Sequence, residues 1–168
     1  MAQGILRVEG PEIVRPPVIA VDSEVFAEGS PVYLDSNGFL AVTSTTNKIW
    51  GFCTEAITVI STNSTSSSIG TGQTVNSAVH SYCPRVIAPD NVLFWADSDT
   101  DFTQTDIGAY ADVASESSGV VTLNLAAGST GQFIVYGLLR DVDPSATGDD
   151  DRIVVKVAEP QDLAFSQS

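Results

Sequence analysis

The sequence predicts an all-β protein: a compact β-barrel or sandwich of about 8–10 short strands with an extended N-terminal arm. Short runs of β-branched and aromatic residues recur along the chain, and Gly, Pro, Asn and Asp separate them. No stretch has the periodicity of a long amphipathic helix. The 168 residues, of which 43% are hydrophobic, are enough for one domain with a buried core.

Residues 1–17 are expected to form the arm. Pro11, Pro16 and Pro17 exclude a regular helix there and bias their neighbours towards extended conformations. The segment is too short for a core of its own, so its apolar residues either pack back on the body or contact a partner. We favour the partner, because the charges of the arm cancel while the rest of the chain is acidic. The expected contact residues are Ile5, Leu6, Val8, Ile13 and Val14.

Residues 18–160 are expected to form the body, which opens with a hairpin signal. Asn37-Gly38 lies between two runs of alternating apolar residues, a pattern typical of a tight turn between two strands. Residues 48–60 are rich in aromatic and β-branched side chains and predict one long strand. Gly51 within that run indicates a bulge or the close approach of another backbone.

The rest of the body alternates between strand patterns and polar segments. Residues 61–76 are almost wholly Ser, Thr, Gly and Asn, and we expect a flexible loop. Residues 120–125 alternate between apolar and polar side chains, and residues 132–139 form an apolar run typical of a strand buried on both faces. Residues 152–159 alternate again, and residues 161–168 are expected to be a C-terminal tail.

The chain is strongly acidic: 7 Lys and Arg against 21 Asp and Glu give a net charge of −14. Such a surface repels phosphate, so we expect neither direct nucleic-acid binding nor binding to anionic membranes. No apolar run reaches the ~20 residues that cross a bilayer. The N-terminus lacks the basic and apolar regions of a secretory signal, which predicts use without that export route or a leader absent from this sequence.

Two cysteines, Cys53 and Cys83, allow one disulfide. Both lie in apolar runs, and nothing else in the sequence marks an oxidising compartment. Two buried thiols that act as small hydrophobic side chains are therefore the favoured interpretation, and the pairing of the two stays open.

Asp97, Asp99 and Asp101 form the sharpest acidic cluster and are weak candidates for a calcium site. Alternating aspartates open a calcium loop, but Phe102 stands where the loop needs glycine and Gly108 where it needs a bidentate glutamate. The favoured interpretation is a polar turn whose carboxylates accept hydrogen bonds from backbone amides. We expect no other metal and no cofactor.

No group of residues in the sequence predicts an enzyme. His80 has no nucleophile pattern near it, and Cys83 is followed directly by proline. A pair of carboxylates could serve glycoside hydrolysis, but the sequence singles out no pair. Five aromatic residues could form a platform for sugars, although aromatic residues on strands are more often core: Trp50, Phe52, Tyr82, Phe94 and Trp95.

Five segments stand in a distinctive order. After the arm come GSPVYLDSNGFLA (29–41), IWGFCTEA (49–56), DSDTDFTQTDIGAYADV (97–113), a G-q-F-x-V-x-G pattern (131–137) and a closing RIVVKV strand (152–157). This order resembles that of the small head decoration, or capsid cement, proteins of tailed bacteriophages, over most of residues 20–158. The Ser/Thr-rich loop has no place in the resemblance.

The resemblance implies a structural virion protein without enzymatic activity. Such a protein is assembled in the host cytoplasm, binds the capsid exterior and stabilises the shell by bridging major capsid subunits. Its implied partners are the major capsid protein and its own copies, as a homotrimer. The alternative is a carbohydrate-binding or adhesin-like β-module of a fibre or surface structure, which exposed Trp50, Trp95 or Tyr110 and calcium at the aspartates would support.

Overall fold

The computed structural model describes residues 4–18, 20–21, 24–36, 38–43, 47–60, 73–76, 84–117, 120–126, 128, 130–138 and 152–161. These residues form an all-β architecture, as the sequence predicts. The strands are β1 (Leu6–Glu9), β2 (Val25–Phe26), β3 (Pro31–Leu34), β4 (Leu40–Val42), β5 (Gly51–Cys53), β6 (Ile57–Ile60), β7 (Gln73–Asn76), β8 (Val86–Ile87), β9 (Leu93–Ser98), β10 (Tyr110–Ser117), β11 (Val120–Asn124), β12 (Phe133–Leu138) and β13 (Arg152–Val157). More strands form than the sequence predicts, because the run over 48–60 is divided into β5 and β6, and because β1 lies in the predicted arm and β7 in the predicted loop.

Five of these strands close into a barrel. β9, β11, β10, β12 and β13 are hydrogen-bonded in this order, and β13 pairs again with β9. Every pair is antiparallel except β11 with β9. β1 adds to β9 beside the barrel, with Leu6 opposite Trp95. Closure pairs the edges of the sheet and leaves an interior that inward-facing side chains fill.

The barrel strands show the alternation expected of a wall with one inner face. Val121 and Leu123 of β11 are fully buried, as are Ile153 and Val155 of β13, which confirms the alternation predicted for both segments. The prediction for β12 was wrong, because Tyr136 is 50% exposed and the strand is buried on one face only. No second layer covers the outside of this barrel strand, so only its inward-facing residues are buried.

The second sheet has four strands in the order β4-β3-β5-β8. The predicted hairpin forms its β3–β4 half, with Leu34 opposite Leu40 and a turn between Asp35 and Phe39, and Asn37 lies outside the described residues. Gly38 in this turn has a φ of +81°, a conformation that favours glycine. In β5 the backbone of Ile87 approaches so closely that a Cβ on Gly51 would collide with it, which confirms the close approach predicted there.

The run predicted as one strand over 48–60 divides between two sheets. β5 belongs to the four-stranded sheet, whereas β6 pairs with β2 and β7 in a third, three-stranded sheet. The chain turns away at Thr54, whose amide donates to the Arg85 carbonyl at 2.9 Å. The prediction of a loop over 61–76 is also corrected, because residues 73–76 form β7, a strand parallel to β6. Residues 61–72 lie outside the described part of the chain.

The four-stranded sheet lies between two hydrophobic cores. Phe52 and Ile87 of its strands pack into the barrel core, whereas their neighbours Cys53 and Val86 pack into a second core around Trp50. Successive strand residues point to opposite faces, so β5 and β8 serve both cores at once. The ring centroids of Phe52 and Phe94 are 4.2 Å apart, which joins the second sheet directly to the barrel.

The chain after β13 begins as part of the body. Gln161, which the sequence placed in the tail, accepts a hydrogen bond from the Leu34 amide at 2.7 Å and donates one to the Leu34 carbonyl at 2.9 Å. Residues 162–168 lie outside the described residues. None of the described segments is a helix of the length and apolarity needed to span a membrane.

Candidate functional site

The N-terminal arm packs on the body, the first of the two placements that the sequence left open and not the favoured one, because its backbone pairs with strands of the body. Its β1 segment pairs with β9 of the barrel. Further along, Val14 bridges to Ile87 of β8, and the Ala88 amide donates to the Ile13 carbonyl at 2.7 Å. Residues 6–15 therefore bind to the barrel and to the second sheet in turn.

The same segment then reaches the opposite edge of the second sheet. Ala20 forms a parallel bridge with Leu40 of β4, and the Val21 amide donates to the Leu40 carbonyl at 2.9 Å. β8 and β4 are the two edge strands of this sheet, so one continuous segment covers both of its edges. We call residues 5–18 and 20–21 the belt, because they join the barrel to the second sheet and pair the edges that would otherwise be open.

Charged side chains add to the attachment of the belt. Glu12 forms ion pairs with Arg85 and, at 3.4 Å, with Arg7. A hydrogen bond from the Arg85 guanidinium and its positive charge, with a smaller effect of Arg7, hold the pKa of Glu12 below its usual value of 4.5. The three side chains are between 38% and 42% exposed, so solvent screens these pairs and the backbone hydrogen bonds carry most of the attachment.

Arg15 anchors the end of the belt segment on β8. Its Nε donates to the Trp50 carbonyl at 3.0 Å, and its guanidinium carbon lies 5.2 Å from the centroid of the Trp50 ring. The same guanidinium pairs with Asp90 at 3.2 Å. Because Trp50 is fully buried in the second core, Arg15 covers that core from outside.

The predicted contact residues of the arm divide into two groups. Ile5 is 2% exposed and belongs to the barrel core, so its assignment as a partner contact is corrected: it lies beneath the arm and not on its surface. Leu6 is partly exposed. Val8, Ile13 and Val14 are 44%, 51% and 48% exposed. These four stay candidates for contact with a partner.

The three aspartates do not converge on a calcium site. β9 continues through Ser98, so Asp97 is a buried strand residue opposite Arg152 and not the first residue of a loop. Asp101 is exposed after the strand has ended. Within the described ranges, no three His, Cys, Asp or Glu side chains come together as a metal site. The weak calcium candidates are therefore corrected, because the strand separates side chains that a loop would have gathered.

Sequence reasoning missed an apolar surface on the outside of the barrel. Residues opposite each other in paired strands point to the same face, and two rows of them face outward. One row runs across four strands from Leu6 through Trp95 and Val154 to Gly137. The adjacent row joins Tyr110, Ile134 and Lys156. We call the following surface the outer wall: Leu6, Trp95, Tyr110, Ile134, Tyr136 and Val154, with the cations Arg152 and Lys156.

At the centre of the outer wall Arg152 lies over the ring of Trp95, and open space borders Gly137. Arg152 lies with its guanidinium carbon 4.8 Å from the centroid of the Trp95 ring, and its Nε is 3.6 Å from Asp97 Oδ1. A Cβ placed on Gly137 would meet nothing within 4 Å, so open space lies beside Val154 in the same row. Glu9 lies three residues after Leu6 on β1, and Asp112 lies two residues after Tyr110 on β10.

The aromatic platform expected for sugar binding does not form. Trp50, Phe52 and Phe94 are core residues, each at most 1% exposed, and Tyr82 lies outside the described residues. Trp95 points outward as its alternation with Phe94 requires, but Arg152 covers its ring. Trp50 is therefore corrected as a candidate for sugar binding, and Trp95 and Tyr110 are only partly exposed.

Cys53 is a buried free thiol, which confirms the prediction for this residue, and Cys83 and His80 lie outside the described residues. Burial raises the pKa of Cys53 to about 11. Its Sγ lies 3.1 Å from the Glu55 carbonyl, to which the thiol donates. A thiol of this pKa is protonated at neutral pH and is a poor nucleophile.

Two of the clefts among the described residues are each lined by two or more glutamates. One, of about 580 Å³, lies between the belt and the second sheet and is bordered by Glu12, Glu28 and Glu55 with Arg7 and Arg85. The other, of about 300 Å³, is bordered by two further glutamates, Glu24 and Glu116. Burial and the nearby charge of Glu116 raise the pKa of Glu24.

No family model, curated protein or solved structure matches the chain.

Proposed function

We propose that this chain is a structural virion protein that binds the outer surface of a bacteriophage capsid and stabilises the shell by bridging major capsid subunits. The observation that carries the proposal is the belt: one continuous segment ties a closed barrel to a second sheet and covers both edges of that sheet. A closed barrel resists deformation, and the pairing of both edges of the second sheet removes those two edges as sites for strand addition.

The order of the sequence segments supports the same proposal. The segments that resemble capsid cement proteins form the β3–β4 hairpin, β5, the end of β9 and start of β10, β12 and β13. These elements belong to the barrel and to the second sheet, which are completed by β11 and β8. In this proposal the protein lies on the capsid exterior as a homotrimer, has no catalytic role, and its acidic surface keeps particles apart.

Capsid binding is tested by co-sedimentation with expanded, undecorated capsids. Removal of residues 1–17 is unsuitable, because Ile5 is part of the barrel core and the truncated protein could unfold. The variant V8D/I13D/V14D instead changes only exposed side chains. Val25→Asp is the control for an added surface carboxylate, since Val25 is 45% exposed and lies on β2, outside the belt residues.

We expect the wild type and the control to sediment with capsids and the triple variant to remain in the supernatant. Failure of the wild-type protein to bind overturns the proposal. If the triple variant binds as the wild type does, the belt is not the contact surface.

The carbohydrate-binding alternative has less support, because Trp50 is buried and Trp95 lies beneath Arg152. A glycan array distinguishes the two proposals. Glycan binding that is lost in Trp95→Ala favours a carbohydrate-binding module, and an array without binding leaves the capsid proposal in place.

A further inference from the structure

We infer that residues 11–17, the middle of the belt, form a strap that opens away from β8 while both ends of the belt stay attached. Opening of the strap uncovers the edge of β8. The uneven burial of the belt along its length carries this inference, which goes beyond the proposed function and does not rest on it.

Both ends of the belt are fixed in buried surroundings. Ile5 is 2% exposed in the barrel core, and Ala20 is 2% exposed in the second core. Between Ile5 and the strap, β1 pairs with β9. After the strap, the Val21 amide donates to the Leu40 carbonyl at 2.9 Å. The ends therefore come free only when a core or a strand pair is disrupted.

The strap itself buries little. Every residue over 11–17 is exposed except Arg15, which is partly buried. Ile13 and Val14 are 51% and 48% exposed, so little apolar surface enters water when the strap leaves the body. The prolines at 11, 16 and 17 donate no backbone hydrogen bonds, and their fixed φ keeps the strap extended as it moves.

Two backbone hydrogen bonds hold the strap on β8. The Ala88 amide donates to the Ile13 carbonyl at 2.7 Å, and the Arg15 amide donates to the Val86 carbonyl at 2.8 Å. A segment with few buried apolar contacts and exposed backbone hydrogen bonds opens at a lower free energy than the whole fold. The strap has both properties, whereas the two ends of the belt have neither.

The side chains that hold the strap are charged. Arg15 donates to the Trp50 carbonyl at 3.0 Å and pairs with Asp90 at 3.2 Å. Glu12 pairs with Arg85. Solvent screens both ion pairs, because Asp90, Glu12 and Arg85 are each at least 40% exposed at their side chains. The contact of Arg15 with Trp50 is therefore the main side-chain contact that keeps the strap closed.

Opening changes what β8 offers to its surroundings. The Val86 carbonyl and the Ala88 amide lose their partners on the strap, while the other side of β8 stays paired with β5. An edge with a free donor and a free acceptor is one on which an extended chain can add as a strand. The closed strap protects this edge, and the open strap makes it available.

Amide hydrogen exchange of the wild-type protein, measured residue by residue by NMR, tests the inference. The Arg15 and Ala88 amides report on the strap, and the Val21 and Cys53 amides report on its anchored end and on the second sheet. We expect at least about tenfold less protection at Arg15 and Ala88 than at Val21 and Cys53. Low concentrations of urea should hardly change the strap amides, because opening exposes little surface, but should lower the protection of the other two.

A matched pair of variants tests what holds the strap closed. Arg15→Gln removes the guanidinium from Trp50 and Asp90, and we expect it to lower the protection of the Ala88 amide while Val21 and Cys53 keep theirs. Lys48→Gln is the control, because it breaks an exposed ion pair with Glu159 outside the belt. It should leave the Ala88 amide unchanged.

A crosslink tests whether the opening is that of the strap. Val14 and Ile87 form an antiparallel bridge with a hydrogen bond on either side, a non-hydrogen-bonded pair whose Cα atoms are typically about 4.5 Å apart. Val14→Cys with Ile87→Cys, in a Cys83→Ser background, should raise the protection of the Ala88 amide at least about tenfold on oxidation. The reduced form of the same protein is the control, since any effect of the change at Ile87 is present in both forms.

Three results overturn the inference. The first is equal protection of the strap amides and the Val21 and Cys53 amides in the wild type, which needs no variant. The second is a urea dependence of the Ala88 amide as steep as that of Cys53. The third is Ala88 protection that oxidation of the crosslinked protein leaves unchanged. None of these measurements involves capsids, so the inference and the proposed function fail separately.

Discussion

Arg152 and Asp97 lie opposite each other on β13 and β9, with Arg152 Nε 3.6 Å from Asp97 Oδ1. Asp97 is buried, although strand alternation places it on the outer face of the barrel. Arg152 therefore balances a buried carboxylate and, at the same time, covers the ring of Trp95. A carboxylate in this position is costly without its cation, since a buried charge needs a partner.

Arg152→Met is expected to lower the free energy of unfolding by about 1–3 kcal/mol, because Asp97 loses its ion pair while the aliphatic stem is kept. The lower part of this range is expected, since the Arg152 side chain is 38% exposed and solvent screens the pair. Lys156→Met on the same strand and face is the control, with a change within about 0.5 kcal/mol. Urea unfolding at low protein concentration measures both, and equal effects would show that Arg152 does not stabilise Asp97.

Glu12 is expected to make the stability of the protein depend on pH in the acidic range. Its pKa in the folded protein is lowered from 4.5 by Arg85 and Arg7, so its ion pairs stabilise the fold above pH 4.5. That contribution is lost as the pH falls through the lowered pKa. The wild type should therefore melt above Glu12→Gln at neutral pH, and the two melting temperatures should converge in acid. A difference that persists at the lowest pH would contradict this origin.

Glu24 is expected to behave in the opposite sense. Burial and the charge of Glu116 raise its pKa above 4.5, so its ionised form is less favourable in the folded protein than in the unfolded chain. The protonated form favours folding below pH 4.5, and this advantage is lost as the pH rises through the raised pKa. Glu24→Gln should thus melt above the wild type at neutral pH and lose that advantage in acid. A variant less stable than the wild type at pH 7 would contradict the prediction.

Cys53 is expected to resist alkylation while the protein is folded. Its pKa of about 11 leaves almost no thiolate at pH 8, and its side chain is buried. In a Cys83→Ser background, iodoacetamide should modify Cys53 only after denaturant is added, and mass spectrometry counts the modified thiols. Rapid modification of the native protein would mean that the thiol is accessible.

Local pattern predicted the strands whose partners are close in sequence or whose inner face is apolar. The hairpin around Gly38 and the alternation in β11 and β13 follow from turn chemistry and from a period of two. Gly51 was identified as a point of close approach because glycine within a strand leaves room for a second backbone. These signals need no knowledge of distant partners.

The features that the sequence did not predict depend on strand pairing between residues far apart in the chain. The run over 48–60 has no glycine or proline at its break, and its division between two sheets follows from its partners, since β5 pairs with β3 and β8 whereas β6 pairs with β2 and β7. The composition of the arm predicts a partner-binding segment. In the structure the arm packs on the body instead, because its backbone pairs with β9 and β8 and Ile5 lies in the barrel core. The outer wall was hidden for the same reason, because its rows join residues from five strands in an order that only the closed barrel reveals.

Titration of the protein onto purified capsids, in expanded and unexpanded forms, tests the central claim most directly. The claim of a shell-stabilising virion protein predicts saturable binding to expanded capsids, and decorated particles that withstand heating or chelation better than undecorated ones. Wild-type protein that stays unbound at every ratio to expanded capsids would contradict it.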